Sequence, residues 1–312
     1  MAQPAVPPTP SAISVRTGDL VTLLLSAFAS GIGVGFLYGI MGLSVAILYK
    51  STGIVSFAQP PLAMLIAFLT YKLIDGTGMS VWLAVVPALL GAAVLGVLCY
   101  LLLFRPNEKL GHFNLILRTI ALTLVIEQFV VFALSVGEPF VFPKFSNGPS
   151  LSIGGVAVPR QNLVIILTAV VLLCVLLLFF RKTRAGLLLR AVAESPDIVN
   201  LMGVNTRLLT ALAWALSVAA CALVAILAAP VTLVSSQMFL PYVLYAFTGF
   251  ILGGINSWGG AIAGGLIVGV ASNVTVVYAG TEVAALVTFA ILLAILLVKP
   301  EGLFGTPIRE RL

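Results

Sequence analysis

Between Asn162 and Phe180 the chain reads "NLVIILTAVVLLCVLLLFF", nineteen residues without a charge. A helix rises about 1.5 Å per residue, so such a run matches a hydrocarbon core about 30 Å thick. No water is present there to satisfy backbone N–H and C=O groups, which leaves helices and closed barrels as the only spanning structures. Barrel strands read as alternating segments of roughly ten residues, whereas this run is continuously apolar. Of the 312 residues, 61% are hydrophobic and 8% are charged; a soluble domain carries about 25% charged residues. The chain cannot clothe itself in a hydrated surface. It reads as all-α, a polytopic transmembrane helical bundle.

Apolar segments fall at roughly 20–48, 57–74, 81–104, 113–135, 162–180, 208–228, 241–256, 260–278 and 283–298, which predicts eight to ten spans. The first is long enough to hide a break near "GIGVG", and the seventh and eighth are short and glycine-rich, as half-helices are. Residues 1–19 read as a disordered Pro-rich leader, 20–305 as a single transmembrane domain with a cytoplasmic loop at 181–207, and 306–312 as a cytoplasmic tail. Lys and Arg near the segment ends divide twelve against four. The larger set, which includes Lys50, Arg105, Arg181, Lys182, Arg207 and Lys299, marks the cytoplasmic side. That rule places the C-terminus inside and 137–161 outside. The formal charge of +6 is therefore spent on topology; the basic residues form no single stripe that a nucleic acid could follow.

Several chemistries are excluded. His112 is the only histidine, and Cys99, Cys174 and Cys221 lie in apolar runs with no Cys-x-x-Cys spacing, so neither a metal site nor a hydrolytic set assembles. No Gly-x4-Gly-Lys-Ser/Thr is present, so no phosphate-cradling loop of that kind exists here. Glycines recur at four-residue spacing, at 31, 35 and 39 and again from 249 to 269. In lipid such ridges let helix backbones approach closely.

Two polar interruptions share a pattern. "GIVSFAQPPLAM" (Gly53–Met64) and "GINSWGGAIAGG" (Gly254–Gly265) both read Gly-Ile-x-Ser-aromatic. Pro60 and Pro61 lack backbone N–H groups, so Ser56 and Phe57 lose helical donors, and Gly259 and Gly260 weaken helix in the second copy. A third stretch lies in the cytoplasmic loop. "ESPD" starts a helix with Ser195 at the N-cap, Pro196 first in the helix and Asp197 at the positive end of its dipole; Gly203 closes it after Met202. Two turns alone are marginal in water, so either neighbouring loops or a partner protein must hold Pro196–Met202.

The residues Arg184-Ala-Gly186, Arg190-Ala191, Ala193-Glu194, Asp197 and Gly203-Val-Asn205 resemble the cytoplasmic loop of the permease subunits of branched-chain amino acid ABC importers. The likeness continues through "GFILGGINSWGGAIAGGLIVGV", "KPEGLFG" and "GIVSFAQ", covering nearly all of 20–305. The family's first motif generally reads Asn-Phe-Ala-His-Gly, where this chain has Ser56-Phe57-Ala58-Gln59-Pro60, and Val199 stands where alanine is common. The resemblance implies a transport subunit of the bacterial plasma (inner) membrane, with no catalytic residues, metal or cofactor of its own. A cytosolic ATPase partner would bind the ATP and Mg, a second permease would complete the pore, and an external solute-binding protein would deliver branched-chain or other small apolar amino acids. It further implies that Arg184, Gly186, Arg190, Glu194, Ser195, Asp197 and Gly203 form the ATPase-coupling region, and that Gln128, which matches a family glutamine, lies on the substrate path.

Paired interruptions in corresponding halves point to a transport site. Ser56, Gln59, Asn256 and Ser257 are then hydrogen-bonding groups along the substrate path, with Phe57 and Trp258 as apolar walls. The competing reading makes both stretches interfacial loops at one membrane face, with Trp258 as an anchor. Glu127 is the one acidic residue well inside an apolar run, and takes either a functional or a structural role. An ion-coupled secondary transporter is the other transport mechanism; its relay would rest on Glu127 almost alone.

Overall fold

The computed structural model describes residues 17–107, 111–134, 139–146, 148–153, 156–194, 196–235, 240–255 and 257–305. The expected leader falls mostly outside them, although α1 (Thr17–Thr52) begins within its last residues, and the expected tail lies wholly outside. After α1 come α2 (Gln59–Thr77), α3 (Val81–Cys99) with a π-helical turn at Tyr100–Phe104, and α4 (His112–Phe129), which also ends in a π-helical turn. Strands β1 (Leu151–Ile153) and β2 (Val156–Val158) pair antiparallel in a two-stranded ribbon. Then follow α5 (Arg160–Lys182), α6 (Arg184–Glu194), α7 (Pro196–Leu201), α8 (Thr206–Thr232), α9 (Leu240–Gly253), α10 (Trp258–Ala279) and α11 (Thr281–Val298).

Among the described residues seven helices are long and apolar enough to cross a membrane: α1, α3, α4, α5, α8, α10 and α11. The 19-residue α2 and the 14-residue α9 complete a set that follows the nine apolar segments in order. Two expectations are corrected. α1 runs without a break through "GIGVG", and α10 is a full 22-residue helix. The reason is the same for both: their glycines mark contacts. A Cβ on Gly31, Gly35 or Gly39 would come within 2.9, 2.8 and 3.0 Å of the Cα atoms of Val270, Leu266 and Ile262. That register sets α1 and α10 antiparallel along a seam where dispersion between close backbones replaces the missing hydrophobic effect. Asn273 adds a polar stitch, its Nδ2 donating to the Ala27 carbonyl at 2.6 Å.

α8 and α2 form the centre. Ten consecutive residues of α2, Gln59 to Phe68, are all buried, and Trp214 of α8 is 0% exposed. Gly96 lets α3 lie against α8, since a Cβ there would stand 2.6 Å from the Trp214 carbonyl. Phe140 and Val234 exchange two backbone hydrogen bonds, of 3.0 and 2.9 Å, joining the segment after α4 to the segment after α8. Trp82 donates to the Phe145 carbonyl beside them.

Candidate functional site

The first interruption begins where Gly53 ends α1 in the left-handed region (φ 71°), its N–H on the Tyr49 carbonyl. The chain turns through 53–58, and Pro60 and Pro61 then fall in the first turn of α2, where a missing N–H costs nothing. The prolines start a helix here; they do not break one. Gln59 is 0% exposed: its amide donates to the Ser44 carbonyl (3.1 Å) and to Ser217 Oγ, while Ser217 Oγ donates to the same carbonyl at 2.8 Å. Ser217 lies ten residues beyond Arg207, about 15 Å along α8, so this knot sits at membrane depth. Ser56 is buried too, its Oγ accepting from the Ala58 N–H. Phe57 differs. Thr119 and Thr123 of α4 hold its backbone at both ends, and its ring, 41% exposed, stacks on Phe247 of α9 with centroids 5.7 Å apart.

The second interruption is a cap joined to the chain's end. Gly254 (φ 102°) closes α9, and Ser257 caps α10 by accepting from the Gly260 N–H at 3.0 Å. Leu303 and Phe304 donate to the carbonyls of Leu252 and Gly253 at 2.7 and 3.2 Å. A Cβ on Gly254 would fall 2.6 Å from the Gly305 nitrogen. "GINSW" and "KPEGLFG" are thus one structural unit, which reading them separately did not show. Trp258 packs on Phe180 (centroids 3.8 Å apart) under the Lys50 ammonium, 5.1 Å from its ring, in a cluster with Leu43 and Ile47. Both interruptions therefore meet α1 between Leu43 and Ile47, toward the end of the bundle that carries Lys50 and Arg181. Asn256 lies outside the described residues. Gln128 is exposed on α4, whereas half-buried Glu127 continues the stripe of Thr119 and Thr123 at four-residue spacing.

The loop expected to couple to an ATPase is built on two bends. Thr183 Oγ1 accepts from the Gly186 N–H at 3.0 Å, opening α6, and Leu189 and Val192 bury one face of α6 against Leu176 and Phe180. Gly186 is buried, with no room for a Cβ beside the Phe179 and Phe180 backbone. Arg184 and Arg190 are exposed. Glu194 ends α6 and Asp197 lies in the first turn of α7; Ser195 falls outside the described residues. The two-turn α7 is held from within. Val199 is buried in the same cluster, Thr206 donates to Asn200 Oδ1 at 2.6 Å, and Gly203 (φ 79°) turns the chain into α8. Three apolar side chains face outward beside exposed Asn200: Ile198, Leu201 and Met202 are 58%, 89% and 76% exposed. Sequence reading missed these three, although their spacing of three and four on a two-turn helix was a usable signal.

A helical bundle with seven membrane-length helices among the described residues, and a buried polar knot where α1 gives way to α2, is a multi-pass protein of the plasma membrane. The profile of the family described as "Branched-chain amino acid transport system / permease component" matches residues 27–296, and the chain belongs to that family. Among its relatives, the high-affinity branched-chain amino acid transport system permease protein LivH of Salmonella typhimurium is 28% identical over 306 residues, 92% of this chain and 97% of the relative. The corresponding BraD protein of Pseudomonas aeruginosa is 26% identical over 92% of this chain and 97% of its own. A probable LivH of Methanocaldococcus jannaschii is 23% identical over 85% and 88%. The likeness in shape to a solved PsaBC chain from Streptococcus pneumoniae is loose, with TM-score 0.45 and 14% identity over 89% of this chain and 92% of that one.

Proposed function

We propose that the chain is the membrane-spanning subunit of an ATP-driven importer for branched-chain or other small apolar amino acids. It pairs with a second, identical or homologous permease, receives substrate from an external solute-binding protein and takes its energy from a cytosolic ATPase that binds the nucleotide and Mg. The relatives' described roles support the substrate class, and one observation carries the coupling. Ile198, Leu201 and Met202 present exposed apolar side chains on a short helix outside the bilayer, in the same loop as exposed Arg184 and Arg190. Such exposed apolar side chains suit a protein partner better than water. Because α6 and α7 are bound into the bundle through Val192 and Val199, a push on that patch reaches α5 and α8 directly. Differential contact with α7 would bias the permease between inward- and outward-facing arrangements.

The substrate path in this reading runs past the exposed Phe57–Phe247 pair and the α4 stripe of Thr119, Thr123 and Glu127. Ser56, Gln59 and Ser257 hold the interruptions open at depth, where irregular backbone persists only against protein or a watery cavity. The test is Leu201→Asp with Met202→Asp. The variant chain should insert and keep its thermal stability, yet no longer co-purify the ATPase or support ATP-driven uptake. Retention of both by the double variant would remove α7 as the docking element.

A further inference from the structure

Phe57 lies between α4 and α9 with its ring 41% exposed. Thr119 and Thr123 hold its backbone from one side, and Phe247 stacks on its ring from the other. Glu127 belongs to the same face. It follows Thr123 by four residues, one turn further along α4, and so shares its side of the helix. It also follows Arg118 by nine residues, two and a half turns at 3.6 residues each. Arg118 leaves α4 toward the turn after α3, where it donates to the Leu103 carbonyl at 2.8 Å. Glu127 therefore leaves α4 on the side away from α3, the side that holds Phe57.

That position is costly for a charge. Glu127 lies within the membrane-length segment Phe113–Leu134, seven residues and about 10 Å from its nearer end. It is half-buried, and among the described residues it makes no hydrogen bond and no ion pair. Arg118, the basic residue nearest to it in sequence, points the opposite way. An ionisable side chain at such depth faces a partner or a watery cavity and marks a solute pathway.

The groups beside it share one polarity. Thr123 Oγ1 has given its proton to the carbonyls of Phe57 and Thr119, at 3.0 and 2.9 Å, so only its lone pairs remain. Phe57 and Phe247 add aromatic faces, whose quadrupole draws cations. Carboxylate, hydroxyl oxygen and ring face all attract a positive charge, and none has a hydrogen bond to give an anion.

We propose that Glu127 is the ammonium-recognising residue of the transport path, and that the permease itself selects a protonated amine attached to an apolar chain. The ammonium meets the Glu127 carboxylate and Thr123 Oγ1, while the apolar chain lies on the Phe57 and Phe247 rings. An amino acid enters with its own carboxylate turned to water. A carboxylic acid of the same shape without the amine meets like charge and no donor, and is excluded. The proposal rests on reading the α4 stripe as the path, and adds a charge filter within the membrane to the choice made by the external binding protein.

The test uses the full chain in phosphatidylcholine nanodiscs. Cys174→Ser removes the one exposed native thiol among the described residues, and Thr123→Cys supplies a reporter. Its modification is timed with a cationic and an anionic methanethiosulfonate. One charge about 6 Å away in water attracts the first reagent and repels the second. Glu127→Gln should therefore lower the cation-to-anion rate ratio about tenfold, ~1.4 kcal/mol, and Glu127→Asp should keep it. L-leucinamide should protect the thiol and 4-methylpentanoate should not, with protection lost in Glu127→Gln. Phe247→Cys repeats the measurement from the α9 wall in case Thr123→Cys lowers Tm. A thiol that neither reagent reaches from either position overturns the proposal, since the face is then sealed by lipid or protein. An unchanged ratio overturns it too, as does absent protection by L-leucinamide or equal protection by both ligands. Uptake by the assembled importer in proteoliposomes is assayed separately. A wild-type complex without ATP-driven uptake sinks the transport reading, and the thiol rates still decide the cation site.

Discussion

Gly186→Ala tests whether the bend between α5 and α6 is what delivers force to the bundle. Gly186 sits in the first turn of α6, and a Cβ there would lie 2.6 Å from Phe180 Cα and 2.9 Å from the Phe179 carbonyl carbon. Carbon atoms pack at about 3.5–4.0 Å, so the two helices must part by roughly 1 Å. The obstructing atoms are backbone and cannot rotate aside. Overpacking of this sort costs about 1–3 kcal/mol; at ~2 kcal/mol the bent arrangement loses about 30-fold against opened ones. The damage stays local, because the α1–α10 seam and the α2–α8 centre do not touch Gly186. The assay is ATP hydrolysis and uptake by the complex in proteoliposomes, measured side by side. Hydrolysis should continue while uptake per ATP falls about tenfold or more. Gly91→Ala is the control: this exposed glycine of α3 has nothing within 4 Å of a Cβ, and coupling should stay intact. Gly186→Ala with normal coupling would refute the steric reasoning outright.

Three further expectations concern the bundle. Gly35→Ala places a Cβ 2.8 Å from Leu266 Cα and 3.1 Å from its carbonyl oxygen, so the α1–α10 seam should open at a cost of about 1–3 kcal/mol, read as a lower Tm in detergent. Gln59→Leu removes two donated hydrogen bonds, worth about 0.6 kcal/mol each in a membrane protein, and also Oε1, which is buried without a partner. Those contributions offset, so Tm should barely move and uptake should persist; lost uptake at unchanged Tm would make Gln59 a substrate contact. Glu127→Gln keeps the shape of the α4 stripe and removes its charge. Its effect should appear in uptake and not in Tm, and unchanged uptake would leave Glu127 outside the path.

How far the chain could be read without its structure varied by element. The long apolar runs carried the helices, because lipid permits so few backbone arrangements. The helix start at Pro196 and its end near Gly203 were also legible, since caps are local chemistry. Pro60 and Pro61 misled. Proline forbids a helix interior and equally favours a helix start, and only the tertiary placement of Gln59 against Ser44 and Ser217 decides between them. The glycines of "GIGVG" misled for the same reason, because the sequence does not show that α10 lies across them. No local pattern joins Gly254 to Gly305 or Phe57 to Phe247. Those contacts arise from helices packed across long sequence separations.

The two interruptions then acquire a common mechanical sense through α1. Gln59 grips it at Ser44, and Trp258 packs in the cluster that holds Leu43 and Ile47. The same cluster contains Val192 of α6 and Val199 of α7. A displacement of the coupling helices therefore acts on the end of α1 to which both interruptions are fastened. Close-packed interiors transmit such displacements because they have little free volume to absorb them. A cavity lined by Ile54, Val192 and Trp214 interrupts that packing between α1, α6 and α8, so filling it should stiffen the link that the proposed coupling depends on.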